Sequence, residues 1–223
     1  MWGLGAILEV AVVVCALTKG SFRRYLCLNL YMLCSLVVSI VRYQKLNHYG
    51  FSSDEYAYFY YYSDAVLTIF LYFALITLYV HVFDEMKAER YVRSLAVLLL
   101  AGTALFSYEV VQQSSHKMLT HFFFELSQNL YFVGLVLTYV LWGAILKLRE
   151  TRTQLIQLVL SLGLYFSGFA ATYALRNMYP SFHHGAILQF IGCALPLAWA
   201  YAFWRLSPDA RMAPARVAAM VPR

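Results

Sequence analysis

Seven long apolar stretches, separated by short polar segments, constrain the fold of this chain more than any other feature. A transmembrane helix needs about 20 mostly apolar residues to cross a hydrocarbon core roughly 30 Å thick. The backbone finds no water inside that core, so each stretch must satisfy its hydrogen bonds as a helix. The sequence therefore predicts an all-α, polytopic membrane protein built as a bundle of seven transmembrane helices. We place them at 2–18, 25–41, 56–83, 94–111, 118–146, 154–175 and 184–204.

The amino-acid composition excludes an ordinary soluble domain. Of 223 residues, 62% are hydrophobic and only 13% are charged, whereas soluble domains carry about a quarter of charged residues. The first apolar stretch is not expected to be a cleaved signal peptide, because its basic residues follow it instead of preceding it. We expect one membrane domain over 1–206 and a short, basic, disordered cytoplasmic tail over 207–223.

Basic residues are distributed unevenly between the two sides of the predicted bundle. One side has four of them, Arg42, Lys45, Lys117 and Arg176. The others fall on the opposite side, in the loops at 19–24, 84–93 and 147–153 and after residue 204. The positive-inside rule makes the richer side cytoplasmic, so the N-terminus is expected outside and the C-terminus in the cytoplasm. The net charge of +6 follows this membrane pattern, and we predict no nucleic-acid partner.

Four acidic residues fall within the predicted helices: Glu9, Asp64, Glu109 and Glu125. Ionisable side chains inside a membrane are costly and usually face the bundle interior, which makes them candidates for function. With a rise of 1.5 Å per residue, all four lie at about 5–12 Å below the outer surface. The sequence thus predicts one outer polar layer to which four helices contribute.

Further polar residues lie at a similar depth. His121 precedes Glu125 by one helical turn and shares its helix face, and Gln189 lies on helix seven. Arg42 and Arg176, near outer helix ends, are natural counter-charges for the acids. The candidates for ligand binding or an ion relay are Glu9, Asp64, Glu109, Glu125, His121, Arg42, Arg176 and Gln189. Purely structural contacts between helices remain an alternative for the same residues.

Motifs for metals, cofactors and catalysis are absent from the sequence. The four cysteines lie inside apolar stretches without metal-type spacing, and the His121–Glu125 pair lacks the repetition typical of a metal site. We therefore predict no metal and no cofactor. No glycine-rich phosphate loop or nucleophile elbow occurs either, so an intramembrane enzyme ranks last among the hypotheses.

Two seven-helix families provide a comparison. The predicted helix 184–204 contains no lysine for a retinal Schiff base, and helix three ends in His81-Val82-Phe83 without a DRY-like sequence. The chain resembles rhodopsins and G-protein-coupled receptors in topology only. The seven-helix hydrolases of the ceramidase and adiponectin-receptor type carry a His-x-x-x-His pair on the last helix, which this chain lacks. Short outer loops without an Asn-x-Ser/Thr acceptor favour a bacterial cytoplasmic membrane.

Three hypotheses for function remain at this point. The leading one is a sensor-like or ligand-binding module with an outward-facing polar pocket, which takes a small ligand from the outer side and signals through a protein partner. The second is a small transporter or a proton- or cation-linked channel. The third is a structural subunit of a membrane complex. All three place the chain in a lipid bilayer as a multi-pass protein of the cell membrane.

Overall fold

A computed structural model describes residues 2–50, 53–83, 89–112, 118–148, 151–179 and 185–206. Over these residues the chain forms seven α-helices. Their bounds are α1 Trp2–Thr18, α2 Leu26–Tyr49, α3 Asp54–Val82, α4 Glu89–Gln112, α5 Met118–Leu148, α6 Thr153–Met178 and α7 Gly185–Arg205. The predicted all-α class and the number of helices are confirmed. The proposed tail at 207–223 lies outside the described residues.

Several helices are longer than the apolar stretches that predicted them. Helix α2 continues to Tyr49, well past the predicted end at 41, and stops at Gly50 with a φ of 77°. Hydropathy detects only the apolar part of a helix, whereas Gln44 and Lys45 are good helix formers that let it continue. Glycine ends the helix because a positive φ is costly for other residues. His48, which follows the predicted end of this helix, consequently lies in the last turn of α2.

Six of the seven helices, α2 to α7, are long and apolar enough to cross a membrane. Helix α1 is apolar but shorter, with 17 residues. At 1.5 Å per residue it extends over about 26 Å, close to the lower limit for a crossing. The chain is therefore an integral, multi-pass membrane protein.

Six helices pack in a ring around a shared core, in the order α1, α2, α3, α5, α6, α7 and back to α1. Helix α3 also touches α6 across the ring, and α4 lies outside it against α5 and α3. Polar contacts help to attach α4: the Tyr72 hydroxyl donates to the Ala96 carbonyl at 2.9 Å, and Asn129 Nδ2 donates to Ser107 Oγ at 3.0 Å. The fully buried core includes Leu28, Leu71, Leu78, Leu141, Leu158, Phe166 and Trp199.

One end of the ring, here called the basic end, brings together the α1–α2 turn, the C-termini of α3 and α7 and the N-terminus of α6. The Tyr25 ring stacks on His81 with 5.2 Å between centroids, and Arg152 Nη2 donates to the His81 carbonyl at 2.8 Å. The Lys19 ammonium lies 5.8 Å from the centre of the Trp204 ring. The C-termini of α1 and α7 thus lie together at this end.

The opposite end, here called the aromatic end, joins the N-terminal parts of α3 and α5 to the C-terminal part of α6. The rings of Tyr61 and Phe124 meet at 5.8 Å and those of Tyr62 and Phe123 at 4.9 Å. The Arg176 guanidinium lies 4.7 Å from the centre of the Phe124 ring. These contacts bring the tyrosine-rich start of α3 beside α5 and α6.

Candidate functional site

Arg42 is fixed between α2 and α3 near the aromatic end. Its Nε donates to Ser63 Oγ at 2.9 Å, its Nη2 donates to the Tyr60 carbonyl at 3.0 Å, and its guanidinium lies 4.2 Å from the centre of the Tyr60 ring. The planar guanidinium suits this combination of directed hydrogen bonds and ring stacking. Helix α2 carries Arg42 only because it continues past its apolar part.

Glu9 is buried between α1 and α2, with 8% of its surface exposed. Ser35 Oγ donates a hydrogen bond to its Oε1, while Oε2 is buried without a hydrogen-bond partner. Arg42 acts electrostatically on this carboxyl as well. A carboxyl with one unsatisfied oxygen is costly to bury, so the Glu9 Oε2 is free to accept a further hydrogen bond.

Asp64 lies on α3 where three other helices converge. Its carboxyl faces the side chains of Ser127 on α5 and Tyr173 on α6, and it lies in the field of Arg42 on α2. Ser127 is 1% exposed and its Oγ makes no hydrogen bond of normal length and angle. Asp64 is half-buried as a whole residue, while its carboxyl is enclosed by these neighbouring side chains.

Four buried tyrosines surround this position: Tyr31, Tyr131, Tyr165 and Tyr173. Each of them interacts electrostatically with Asp64, and Tyr31 does so with Glu9 as well. The hydroxyls of Tyr31 and Tyr165 lie 3.4 Å apart across the ring of helices. Because a buried tyrosine needs a partner for its hydroxyl, these residues orient their polar ends toward the bundle centre.

We call this group the Asp64 site: Glu9, Ser35, Arg42, Asp64, Ser127 and the four tyrosines. It contains two carboxyls, one guanidinium and several hydroxyls, set against aromatic rings. Among the described residues, no three His, Cys, Asp or Glu side chains gather as a metal centre. The arrangement offers oxygen ligands and hydrogen bonds, which suits binding more than nucleophilic chemistry.

Of the other candidate residues, Arg176 borders the Asp64 site, and the remaining four lie on other helix faces or other helices. Glu125 and His121 are half-buried on α5. Glu125 precedes Ser127 by two residues, which turns it by about 200° onto another face of the helix. Glu109 is exposed on α4 and Gln189 is exposed on α7. The exposed Arg176 lies at the margin of the site, where it acts on Tyr173.

Ser127 and the four tyrosines belong to the site but were absent from the sequence-based candidates. A usable signal existed on α6, where Tyr165, Phe169 and Tyr173 recur every four residues and so share one face. In the structure the Tyr131 ring stacks on Phe169 at 4.6 Å. A stripe of tyrosines inside an apolar helix is therefore a useful indication of an inward polar face.

A separate recess of about 150 Å³ lies between α6 and α7. Its lining is mainly apolar, and Tyr165 forms part of the wall. The residues around it are Gln157, Leu160, Ser161, Leu164, Tyr165, Ile191, Ala194, Leu195 and Ala198. Tyr165 thus lies between this recess and the Asp64 site.

Comparison with known proteins adds no relative: no protein-family model, no curated protein and no solved structure matches this chain.

Proposed function

We propose that the chain crosses the membrane seven times, with its N-terminus outside and its C-terminus in the cytoplasm. The C-terminal end of α1 lies beside that of α7, where Lys19 approaches Trp204. Toward the N-terminal ends of both helices, a Cβ added at Gly5 would lie 3.9 Å from Cys193 Sγ. Helix α1 thus runs parallel to α7, a helix that is long enough to cross. This parallel packing supports α1 as the seventh crossing.

The basic end faces the cytoplasm in this proposal. Lys19, Arg152 and Arg205 belong to it, and the positive-inside rule assigns such an end to the cytoplasmic side. The aromatic end then faces outward, where tyrosine rings favour the headgroup level. The most natural location is a cell membrane, as expected for a bacterial cytoplasmic membrane protein.

The function we propose is a sensor-like, ligand-binding module whose pocket is the Asp64 site in the outer half of the bundle. One observation carries the proposal: side chains from three helices, α2, α5 and α6, converge on the Asp64 carboxyl inside the bundle. A few converging polar groups set among aromatic side chains are typical of a small-molecule site. A ligand bound here would contact three neighbouring helices at once. A partner protein at the basic end would then respond to the binding of the ligand.

A thermal-shift screen of the detergent-purified full chain tests this proposal. Small polar and charged compounds should include at least one that raises the melting temperature of the original chain and fails to do so with Asp64→Asn. The matched control is Glu109→Gln, because Glu109 is an exposed acid on the peripheral helix α4. A ligand whose effect is the same in Asp64→Asn and the original chain would refute the site.

The second candidate function is proton- or cation-linked transport. It is favoured by the ratio of charges in the Asp64 site, where two carboxyls share one guanidinium. Ionisable groups of this kind often form relays in pumps and transporters. Flux measured in liposomes that disappears with Asp64→Asn, but persists with Glu109→Gln, would place this function first.

A further inference from the structure

We propose that the recess between α6 and α7 binds one acyl chain of an anionic phospholipid from the leaflet at the basic end, with the lipid phosphate held by Arg205. This lipid site goes beyond the proposed function, because it is separate from the Asp64 site and takes its ligand from the bilayer. The shape of the recess, its lining and the charge at its end support it.

Two close contacts between α6 and α7 bound the recess along the helices. Toward the basic end, Gln154 Nε2 donates to the carbonyls of Ala202 at 3.4 Å and Leu206 at 3.3 Å. At the other end, a Cβ added at Gly168 would approach Ile191 Cδ1 to 2.9 Å. Between these contacts the helices leave a volume of about 150 Å³. The recess is therefore a slot that is closed at its inner end.

The slot follows the direction that lipid chains take in a bilayer. Its α6 wall extends from Gln157 to Tyr165, and its α7 wall from Ile191 to Ala198, which is about 10–12 Å along either helix. One half of a hydrocarbon core is roughly 15 Å thick. Because Gln157 lies only one turn from the start of α6 at Thr153, the slot belongs to the leaflet at the basic end.

The slot is mainly apolar and opens to the surface of the bundle. Leu160 and Leu164 on one wall and Ala194 on the other are exposed, so lipid chains reach them in an integral membrane protein. An apolar cavity of about this volume stays dry and accepts a hydrocarbon of about six carbon atoms. A helix of a second copy, about 10–12 Å across with its side chains, is too wide for it. One lipid chain is the occupant that fits.

Arg205 places a positive charge where the phosphate of this lipid would lie. It is exposed in the last turn of α7 and follows Ala198 by seven residues, which puts both on one face of the helix. Lys19 adds a second positive charge near the end of α7, beside Trp204. Basic residues beside a cleft between membrane helices are typical of sites for anionic headgroups. The slot and Arg205 thus match the two parts of one phospholipid.

Native mass spectrometry of the detergent-purified full chain tests the headgroup part of this proposal. The chain is mixed with dioleoyl phosphatidylglycerol or dioleoyl phosphatidylcholine at equal concentration. One phosphatidylglycerol should bind about fivefold more tightly, because its headgroup has a net negative charge for Arg205. Arg205→Gln should remove this preference. The matched control is Lys147→Gln, an exposed lysine in the last turn of α5, which should keep it.

A second set of variants tests the slot itself in the same experiment. Ala194→Phe fills the slot from its mouth and should weaken phosphatidylglycerol binding about tenfold. Ala101→Phe is the matched control, because Ala101 is an exposed alanine on α4, and it should bind like the original chain. Leu164→Ala removes part of the wall without adding bulk and should weaken binding about threefold. It keeps the test decisive if Ala194→Phe does not fold.

Three outcomes would overturn the proposal. The first is unchanged phosphatidylglycerol binding in both Ala194→Phe and Leu164→Ala. The second is equal binding of the two lipids by the original chain, which would mean that Arg205 holds no phosphate. The third is a dimer that Ala194→Phe dissociates, which would assign the slot to a side chain of a second copy. Asp64→Asn should bind the lipid normally, so failure of the ligand screen and failure of the lipid site are independent results.

Discussion

Arg42 is the residue through which the two buried carboxyls of the Asp64 site share a counter-charge. We expect Arg42→Ala to lower the free energy of unfolding by about 2 kcal/mol. The substitution removes two charge-assisted hydrogen bonds, and it leaves Glu9 and Asp64 without their shared counter-charge. Arg42→Lys should recover part of the loss, since it keeps the charge but not the fork or the ring stacking. Thermal melting in detergent measures the effect.

A double variant separates the electrostatic part of this effect from the packing part. If Arg42 stabilises the fold by neutralising Asp64, then Arg42→Ala should cost less in an Asp64→Asn background than in the original chain. Equal costs in both backgrounds would show that the hydrogen bonds to Ser63 and Tyr60 account for the loss. Arg205→Ala is a suitable control, because Arg205 is an exposed arginine in the last turn of α7.

Ser35 provides the hydrogen bond that Glu9 receives from α2. Ser35→Ala should lower the free energy of unfolding by about 1–3 kcal/mol, because a buried carboxyl loses its donor. Ser39→Ala, one turn farther along α2, is the matched control and should have little effect. Melting curves of the two variants decide the point, and equal melting temperatures would contradict a stabilising role of the Glu9–Ser35 contact.

At the scale of elements, Gly134 allows α5 to pack closely on α6. A Cβ at Gly134 would clash with the Phe166 ring, and Phe166 is fully buried. Gly134→Ala should therefore force the two helices or the ring to shift, at a cost of about 1–3 kcal/mol. The Phe166 ring contacts the rings of Tyr131 and Tyr165, which belong to the Asp64 site, so ligand binding should weaken as well.

Gly143 on the same helix provides the control for this substitution. Nothing lies within 4 Å of a Cβ placed there, and the residue is exposed. Gly143→Ala should be neutral or stabilise the protein by up to about 1 kcal/mol, because alanine favours the helix. The difference in melting temperature between the two variants measures the helix contact itself. Equal behaviour would mean that Phe166 moves aside without cost.

At the scale of the whole molecule, the proposed topology places Tyr49 outside and Arg23 in the cytoplasm. In a cysteine-free background, Tyr49→Cys should react with a membrane-impermeant thiol reagent in intact cells. Arg23→Cys should react only after the membrane is opened. Both positions are exposed in the structure, so access from each side of the membrane decides the result. The reverse pattern would invert the orientation, and labelling of both in intact cells would show that α2 does not cross the membrane.

Hydropathy along the chain was sufficient to predict the membrane class, the all-α fold and the number of helices. These properties are local: a bilayer core excludes water, so each sufficiently long apolar stretch forms a helix whatever its neighbours are. The helix ends were less well predicted, as α2 shows, because polar residues such as Gln44 and Lys45 can continue a helix beyond its apolar part. The unequal distribution of basic residues between the two predicted sides of the bundle could also be recognised from the sequence alone.

The composition of the site, in contrast, was decided by the tertiary structure. Depth along a helix can be counted from the sequence, and it brought Glu9, Arg42 and Asp64 into consideration together with Glu109, Glu125 and Gln189. Only the rotation of each helix and the order of the ring separate these two groups. A shift of two residues on α5 distinguishes Ser127, which faces Asp64, from Glu125, which lies on another face. Such rotation depends on packing between helices that are distant in sequence, so the chain determined where its polar residues lie in depth, and the fold determined which of them meet.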